Sequence, residues 1–375
     1  MDGLVVVDAR YVGPSPSGIG TYVRALLDRV PALAPDLAFH FWRHPSAPSA
    51  LFDAPNVSST VVRAQANGPS TLLWPARLDR FPNEGLLHMP YNILGRGVPL
   101  PAVVTLHDVM WLEQPECCDP RPWLRPIRQA FFAAGIRRAL RTAERILTVS
   151  QASADDIVRL EPSAAPRIRV TPNACGPEFR APNDPRAAQQ RASELLATDA
   201  PFFLVVGLNQ PSKRHADAVR AFAAMGKPGE RLVLIQRRAA GRGLDRLVRT
   251  LGVSDRVLWQ PALPRRDLIA LLQSACLLVH PSSAEGFGIP VLEAMACGCP
   301  VLASDIATLR EVASGAAVHF PAGDLESLAT AWRALADDPA RRQELRAQGL
   351  QRATQFSWDR TARLTLEVYR EVLEG

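Results

Sequence analysis

His280-Pro-Ser-Ser-Ala-Glu-Gly-Phe-Gly-Ile-Pro-Val-Leu-Glu-Ala-Met-Ala296 decides how this 375-residue sequence is read. The stretch follows residues 276–279, an apolar run of strand length, and passes through a turn into a helical pattern, so its order is strand, loop, helix. Pro290 suits a first helical turn, where a missing N–H costs nothing, and Gly286-Phe287-Gly288 in front of it lets a backbone pass close to a ligand. The unpaired N–H groups and the positive end of the helix dipole then face the loop and make a site for a diphosphate. Glu285 lies before the turn and Glu293 one turn into the helix. That E-x7-E spacing places a carboxylate for hydroxyls on either side of the diphosphate, a sugar on one side and a ribose on the other. A Gly-rich turn or two glutamates alone would describe a solvated surface loop; the functional reading rests on their coincidence with the strand and with Pro290.

Outward from this stretch the same rhythm repeats. Strand-like runs at 202–206, 232–235, 257–259, 276–279 and 301–303 alternate with helical patterns at 215–225, 244–251 and 265–275, as in a doubly wound parallel sheet. Earlier runs at 4–7, 86–88, 102–106, 145–149 and 168–170 give a first α/β unit of the same kind. The length favours two domains over one. The expected division is 1–176, then 177–355, with a helix at 356–375 packing back on the first domain.

Composition narrows the classes. A 47% hydrophobic and 21% charged chain is globular, not disordered. The N-terminal apolar run is too short for a secretory leader and no apolar stretch approaches membrane-spanning length, so a cytoplasmic location is expected. The six cysteines lack paired CxxC spacing and neighbouring histidines, which argues against zinc; they read as reduced and mostly buried thiols. A formal charge of +6 without clustering along the whole chain points away from nucleic acid and toward small anions or lipid headgroups. Only two of the 43 basic residues are lysines, Lys213 and Lys227.

At the 280–296 stretch the sequence resembles the retaining GT-B glycosyltransferases of family 4. The resemblance runs from Ser17-Gly18-Ile19-Gly20-Thr21-Tyr22 to the tail at 356–369 and implies two Rossmann-like domains facing a central cleft. It implies that Glu285 contacts the donor sugar, that the loop amides around Gly286, Phe287, Gly288 and Ile289 hold the distal phosphate, and that Glu293 binds ribose.

Lys213, in the loop after 202–206, is placed to neutralise a leaving diphosphate. The family usually pairs a lysine with an arginine there; Ser212 stands in the arginine's place, and Arg214 is the candidate substitute. Gly18 and Gly20, before a helix expected at 22–30, leave room at its N-terminus, and the resemblance brings that loop to the donor and acceptor. His107 ends the run 102–106 and would be read as structural by chemistry alone; the resemblance places it against the donor sugar. Asp108 reads as a cap for the next loop. Ser150 and Asn173 read as mainly structural, with Ala174 where the family has glycine. The acceptor is expected against loops 69–80 and 91–99.

The segment 121–145 holds seven arginines opposed only by Glu144, interleaved with Trp123, Leu124, Phe131, Phe132 and Ile136. It reads either as a surface helix with its apolar side in the core or as a face for an anionic membrane. The run His107-Asp-Val-Met-Trp-Leu-Glu-Gln-Pro-Glu116 and the 17–22 loop look most like family members that build bacterial surface polysaccharides such as lipopolysaccharide, often from GDP-mannose. The expected activity is therefore transfer of a hexose from a nucleotide sugar, GDP-mannose favoured, to a glycan or polyprenyl-linked glycan. No metal or cofactor is required, and the location is cytoplasmic, peripheral on the inner membrane face. A GT-B nucleotide-sugar epimerase or hydrolase, and transfer to a soluble small acceptor, are the alternatives. A phosphorylase would need a cofactor lysine, which the lysine shortage disfavours.

Overall fold

The computed structural model describes residues 3–13, 17–75, 78–79, 81–236 and 242–375. Met1, Asp2 and, in the loop 69–80, residues 76, 77 and 80 lie outside the described residues. The chain divides into two units: residues 1–116, 121–174 and 357–375 form one, and 117–120 with 175–356 the other.

The first unit is built on seven parallel strands, β1 Leu4–Asp8, β2 Ala38–Arg43, β3 Val57–Val61, β4 Leu86–Met89, β5 Ala102–Leu106, β6 Arg145–Thr148 and β7 Ile168–Val170, in the order β3-β2-β1-β4-β5-β6-β7. β4 and β5 are buried along their whole length, as expected of strands covered on both faces. β2 and β3 were not anticipated. In β2 His40 interrupts an aromatic run, and β3 is a polar edge strand, Val-Ser-Ser-Thr-Val, with no continuous apolar signal. The helix Trp358–Glu374 belongs to this unit: Tyr369 is buried, with its hydroxyl 2.6 Å from His88 Nδ1, and the Thr361 hydroxyl donates to the Pro172 carbonyl.

The second unit has six parallel strands, β8 Phe202–Val206, β9 Arg231–Ile235, β10 Val257–Gln260, β11 Leu277–His280, β12 Val301–Ser304 and β13 Val318–Phe320, in the order β10-β9-β8-β11-β12-β13. Its core centres on Phe203, Phe222 and Trp332, with Phe203 and Trp332 edge to face at 5.2 Å. β13 escaped sequence reading because three residues carry too little periodicity.

Strand order fixes where a ligand can bind. From β8 the chain winds through β9 and β10 to one side; β11, β12 and β13 extend the other. The direction reverses between β8 and β11, and the carboxyl ends of two such strands leave a crevice that the connecting loops do not cover. The loops 207–214 and 281–288 leave from those ends.

No helix among the described residues is long and apolar enough to cross a membrane. One expectation about the cysteines is corrected: only Cys297 and Cys299 are buried, and Cys117, Cys118, Cys175 and Cys276 are half-buried.

Candidate functional site

The helix Ile289–Ala296 begins as the sequence implied, with Pro290 in its first turn and Gly288 as its N-cap. Gly288 has φ +94, and a Cβ there would lie 2.6 Å from Leu309 Cδ2, so both backbone and packing demand glycine. The Phe287 side chain is buried against Phe356, edge to face at 5.6 Å, and the Glu285 carbonyl accepts from Thr308 Oγ1 at 2.9 Å. These contacts hold the turn; Pro290 has no N–H, and Val291 N and Leu292 N donate to the Gly288 carbonyl at 2.9 and 3.4 Å, which leaves the Ile289 amide as the first-turn donor without an acceptor in the helix.

Two side chains converge on one carboxylate oxygen, Glu285 Oε1, in front of that turn. Lys213 Nζ lies 2.5 Å from Glu285 Oε1, and His280 Nε2 lies 2.8 Å from the same atom. Ser283 N donates to the Ser212 carbonyl at 2.8 Å, stitching the two switch-point loops together. Burial pushes the Glu285 carboxyl up, but Lys213 and the His280 hydrogen bond outweigh it and hold the group well below the usual carboxylate range. The site therefore contains a fixed anion against a fixed cation beside a helix N-terminus.

Ser212 is buried and offers no cation. Arg214 sits in the left-handed region at φ +47; its guanidinium donates to Asp217 and borders Gly323. Its ion pair is thus with Asp217 and not with Glu285, so the structure does not join Arg214 to the Lys213 cluster.

Glu293 is half-buried. Burial pushes its carboxyl up to about 8, with Arg265 opposing and Glu178 adding to the rise. Near neutral pH it can donate a hydrogen bond as well as accept one. A cavity of about 420 Å³ opens beside the loop 207–214, lined by Asn209, Ala216, Arg220, Leu244 and Thr250 among others; Lys213, Glu285 and Glu293 do not line it.

In the first unit Ser17 caps the helix Gly18–Leu27, accepting from Gly20 N at 2.9 Å. The two glycines differ. A Cβ on Gly18 would meet open space, whereas one on Gly20 would sit 2.7 Å from the Tyr11 carbonyl, so Gly20 is accounted for by backbone packing. His107 is buried edge to face with Tyr22, its Nε2 3.1 Å from the Pro90 carbonyl. Burial pushes its pKa down to about 4 despite that hydrogen bond, so the ring is neutral and acts as a dipole, not as a charge. Asp108 Oδ1 accepts from Met110 N and Ser150 Oγ from Ser153 N, both capping contacts. Asn173 is buried, and Ala174 is fully so.

Sequence reading passed over two groups. His280 reads from sequence only as the residue that follows the strand, whereas the structure makes it the last residue of β11. The other is Asp8, Arg10 and Tyr91, at the corresponding switch point of the first sheet between β1 and β4. Arg10 Nε donates to Asp8 Oδ1 at 2.8 Å, Nη1 to the Ala64 carbonyl at 2.9 Å, and Nη2 to Thr71 Oγ1 at 3.0 Å and the Tyr91 hydroxyl at 3.2 Å. Tyr91 in turn donates to Asp8. One buried cation thus fastens loops 64–72 and 91–96, the latter also through Arg96 N to the Leu72 carbonyl at 2.8 Å.

The helix Arg125–Thr142 buries Ala133, Ile136, Ala139 and Leu140, so it is a surface helix with an apolar side in the core. Trp123 and Ile127 nonetheless stay 71% and 70% exposed, beside a helix that contains no acidic residue.

Residues 187–352 match the family described as Glycosyl transferases group 1, a span that contains Lys213, Glu285 and Glu293. The chain is 30% identical over 273 residues to the O-antigen chain mannosyltransferase B of Escherichia coli, covering 72% of this chain and 70% of that protein. This chain belongs to the group 1 glycosyl transferases. Another relative is a D-inositol 3-phosphate glycosyltransferase of Acidothermus cellulolyticus, 32% identical over 297 residues, or 74% of this glycosyl transferase and 63% of that protein. In fold, the group 1 glycosyl transferase superposes on sucrose-phosphate synthase from Thermosynechococcus elongatus with a TM-score of 0.76, at 21% identity over 99% of both chains. Two parallel α/β domains of this kind are the GT-B architecture expected from the sequence.

Proposed function

We propose that this glycosyl transferase moves a hexose, GDP-mannose being the favoured donor, to a hydroxyl of a glycan or polyprenyl-linked glycan, with retention of anomeric configuration and without a metal. The observation that carries the reading is the convergence of Lys213 and His280 on Glu285 beside the Gly288–Pro290 helix start, at the switch point of the second sheet. The mannosyltransferase relative favours mannose and a surface polysaccharide, and the shared family favours a nucleotide-sugar donor.

In this reading the donor diphosphate lies against the helix N-terminus and Lys213, which stabilise the charge that develops as the bond from the anomeric carbon to the phosphate oxygen breaks. The acceptor oxygen bonds to the same carbon on the same face, and its proton passes to the departing diphosphate oxygen. Glu285 orients the donor sugar through its remaining hydrogen-bonding capacity, held in place by His280. Glu293 binds ribose hydroxyls, and the neutral His107 ring offers a dipole near the reacting carbon. The Asp8–Arg10–Tyr91 group orders the acceptor-side loops. Trp123, Ile127 and the arginines after them favour contact with an anionic membrane that would carry a lipid-linked acceptor.

Calorimetric titration with GDP, UDP, dTDP and ADP tests the donor site. Binding of one diphosphate that weakens in Glu293→Ala supports it and names the base; no binding of any sinks it. Product analysis with donor alone separates the alternative epimerase or hydrolase, which would turn donor over without acceptor.

A further inference from the structure

Besides Lys213, the loop after β8 leads into one further polar side chain, and it is not an arginine. Ser212 is buried and Arg214 is held by Asp217, yet a third polar group reaches the same loop end. His215, the first residue of the helix His215–Met225, is buried, and Gln236 just after β9 places its side-chain amide nitrogen 2.6 Å from His215 Nδ1. With the Gln236 amide in this orientation its nitrogen donates, so Nδ1 accepts and the ring proton resides on Nε2. That Nε2–H has no acceptor among the described residues. It faces Gly207, the residue after β8, whose φ is +150: a Cβ built there would lie 3.7 Å from His215 Nε2 and 3.8 Å from Lys213 Cδ. The surface that Gly207 leaves bare is therefore bordered by a neutral N–H donor and by the stem of the lysine whose ammonium reaches Glu285.

We infer that His215 Nε2–H is a binding donor for the phosphate portion of the nucleotide-sugar, presented over Gly207 beside Lys213, with Gln236 as the positioning residue that fixes its tautomer. The inference rests on the donor-site reading above and deepens it. A neutral donor suits this place: a second full charge there would add repulsion to Lys213, while an oriented N–H gives direction to an anionic oxygen without it. Both residues are buried, so the arrangement exists before any ligand arrives.

The test is calorimetry of the wild type, His215→Leu and His215→Gln with the nucleoside diphosphate that the wild type binds and with the matching nucleoside. The expected result is a diphosphate affinity about tenfold weaker in His215→Leu, partly restored in His215→Gln, whose amide can still donate, and a nucleoside affinity within about twofold of wild type. Equal diphosphate affinity in His215→Leu, or equal losses for diphosphate and nucleoside, overturns the inference. Wild type that binds no nucleoside diphosphate overturns the donor-site reading first. Nitrogen-15 NMR of the histidine rings gives an independent readout should the leucine variant not fold: the His215 signals should report the Nε2–H tautomer in wild type and lose it in Gln236→Leu, and an Nδ1–H ring in wild type overturns the assignment.

Discussion

Lys213 Nζ and Glu285 Oε1 are 2.5 Å apart although 72 residues separate them, and the contact joins the loop after β8 to the loop after β11 across the point where the sheet reverses its winding. The ion pair holds the cation at the switch point before a diphosphate arrives. It is already committed to the site.

Replacing Lys213 by methionine keeps the stem and removes the charge. Transfer should fall about 10²- to 10³-fold in kcat, the scale seen when one preorganised donor to a developing negative charge is lost. Glu285→Gln should lower kcat with smaller effect on nucleoside diphosphate affinity, since Glu285 is assigned to the sugar. Steady-state rates beside calorimetry read both. Equal loss of binding and rate in Glu285→Gln would move that residue to the nucleotide.

Glu293 gives a pH signature. Its carboxyl is raised to about 8 in the folded chain, above the ordinary carboxylate value it regains on unfolding, so the folded state takes up a proton between the two. The associated stability is present in full below the unfolded pKa and is lost as pH rises through about 8. Melting temperature followed from pH 5 to 9 should therefore decline more steeply in wild type than in Glu293→Gln, which has nothing to ionise. Parallel profiles would show that the carboxyl titrates normally.

Arg10→Ala should destabilise the first unit by about 3–5 kcal/mol, because Asp8 would be left buried without its cation. Chemical denaturation measures this. The double change Asp8→Asn with Arg10→Gln should recover part of the loss, and acceptor KM should stay raised even where stability returns, since Ala64 and Thr71 lose their fastener.

Trp123→Ser with Ile127→Ser should weaken sedimentation with phosphatidylglycerol vesicles about tenfold while leaving nucleotide binding unchanged. The binding should also fall with salt, through the arginines. Wild type that ignores anionic vesicles removes the membrane from the account.

The sequence made the architecture readable wherever one segment carries the whole signal. β8 is a continuous apolar run, and β4, β5 and β12 are broken only by His88, Thr105 and Ser304, because both faces are covered; the 280–296 stretch holds its strand end, turn, proline and glutamates within seventeen residues. What escaped depends on distant partners. β3 is polar because it lies at an edge, His215 matters through Gln236, and Arg10 matters through Thr71 and Tyr91, 61 and 81 residues away. Gly20 looked like Gly18 in sequence; only the position of the Tyr11 carbonyl separates them.

The membership of residues 357–375 in the first unit has a temporal consequence. A ribosome releases β1 through β7 first, yet Tyr369, Thr365 and Trp358, which complete that unit's core, emerge only after the whole of 175–356. The second unit can therefore finish folding while the first still waits with His88 and Tyr22 uncovered. The earlier-made half is thus the one whose core is completed last.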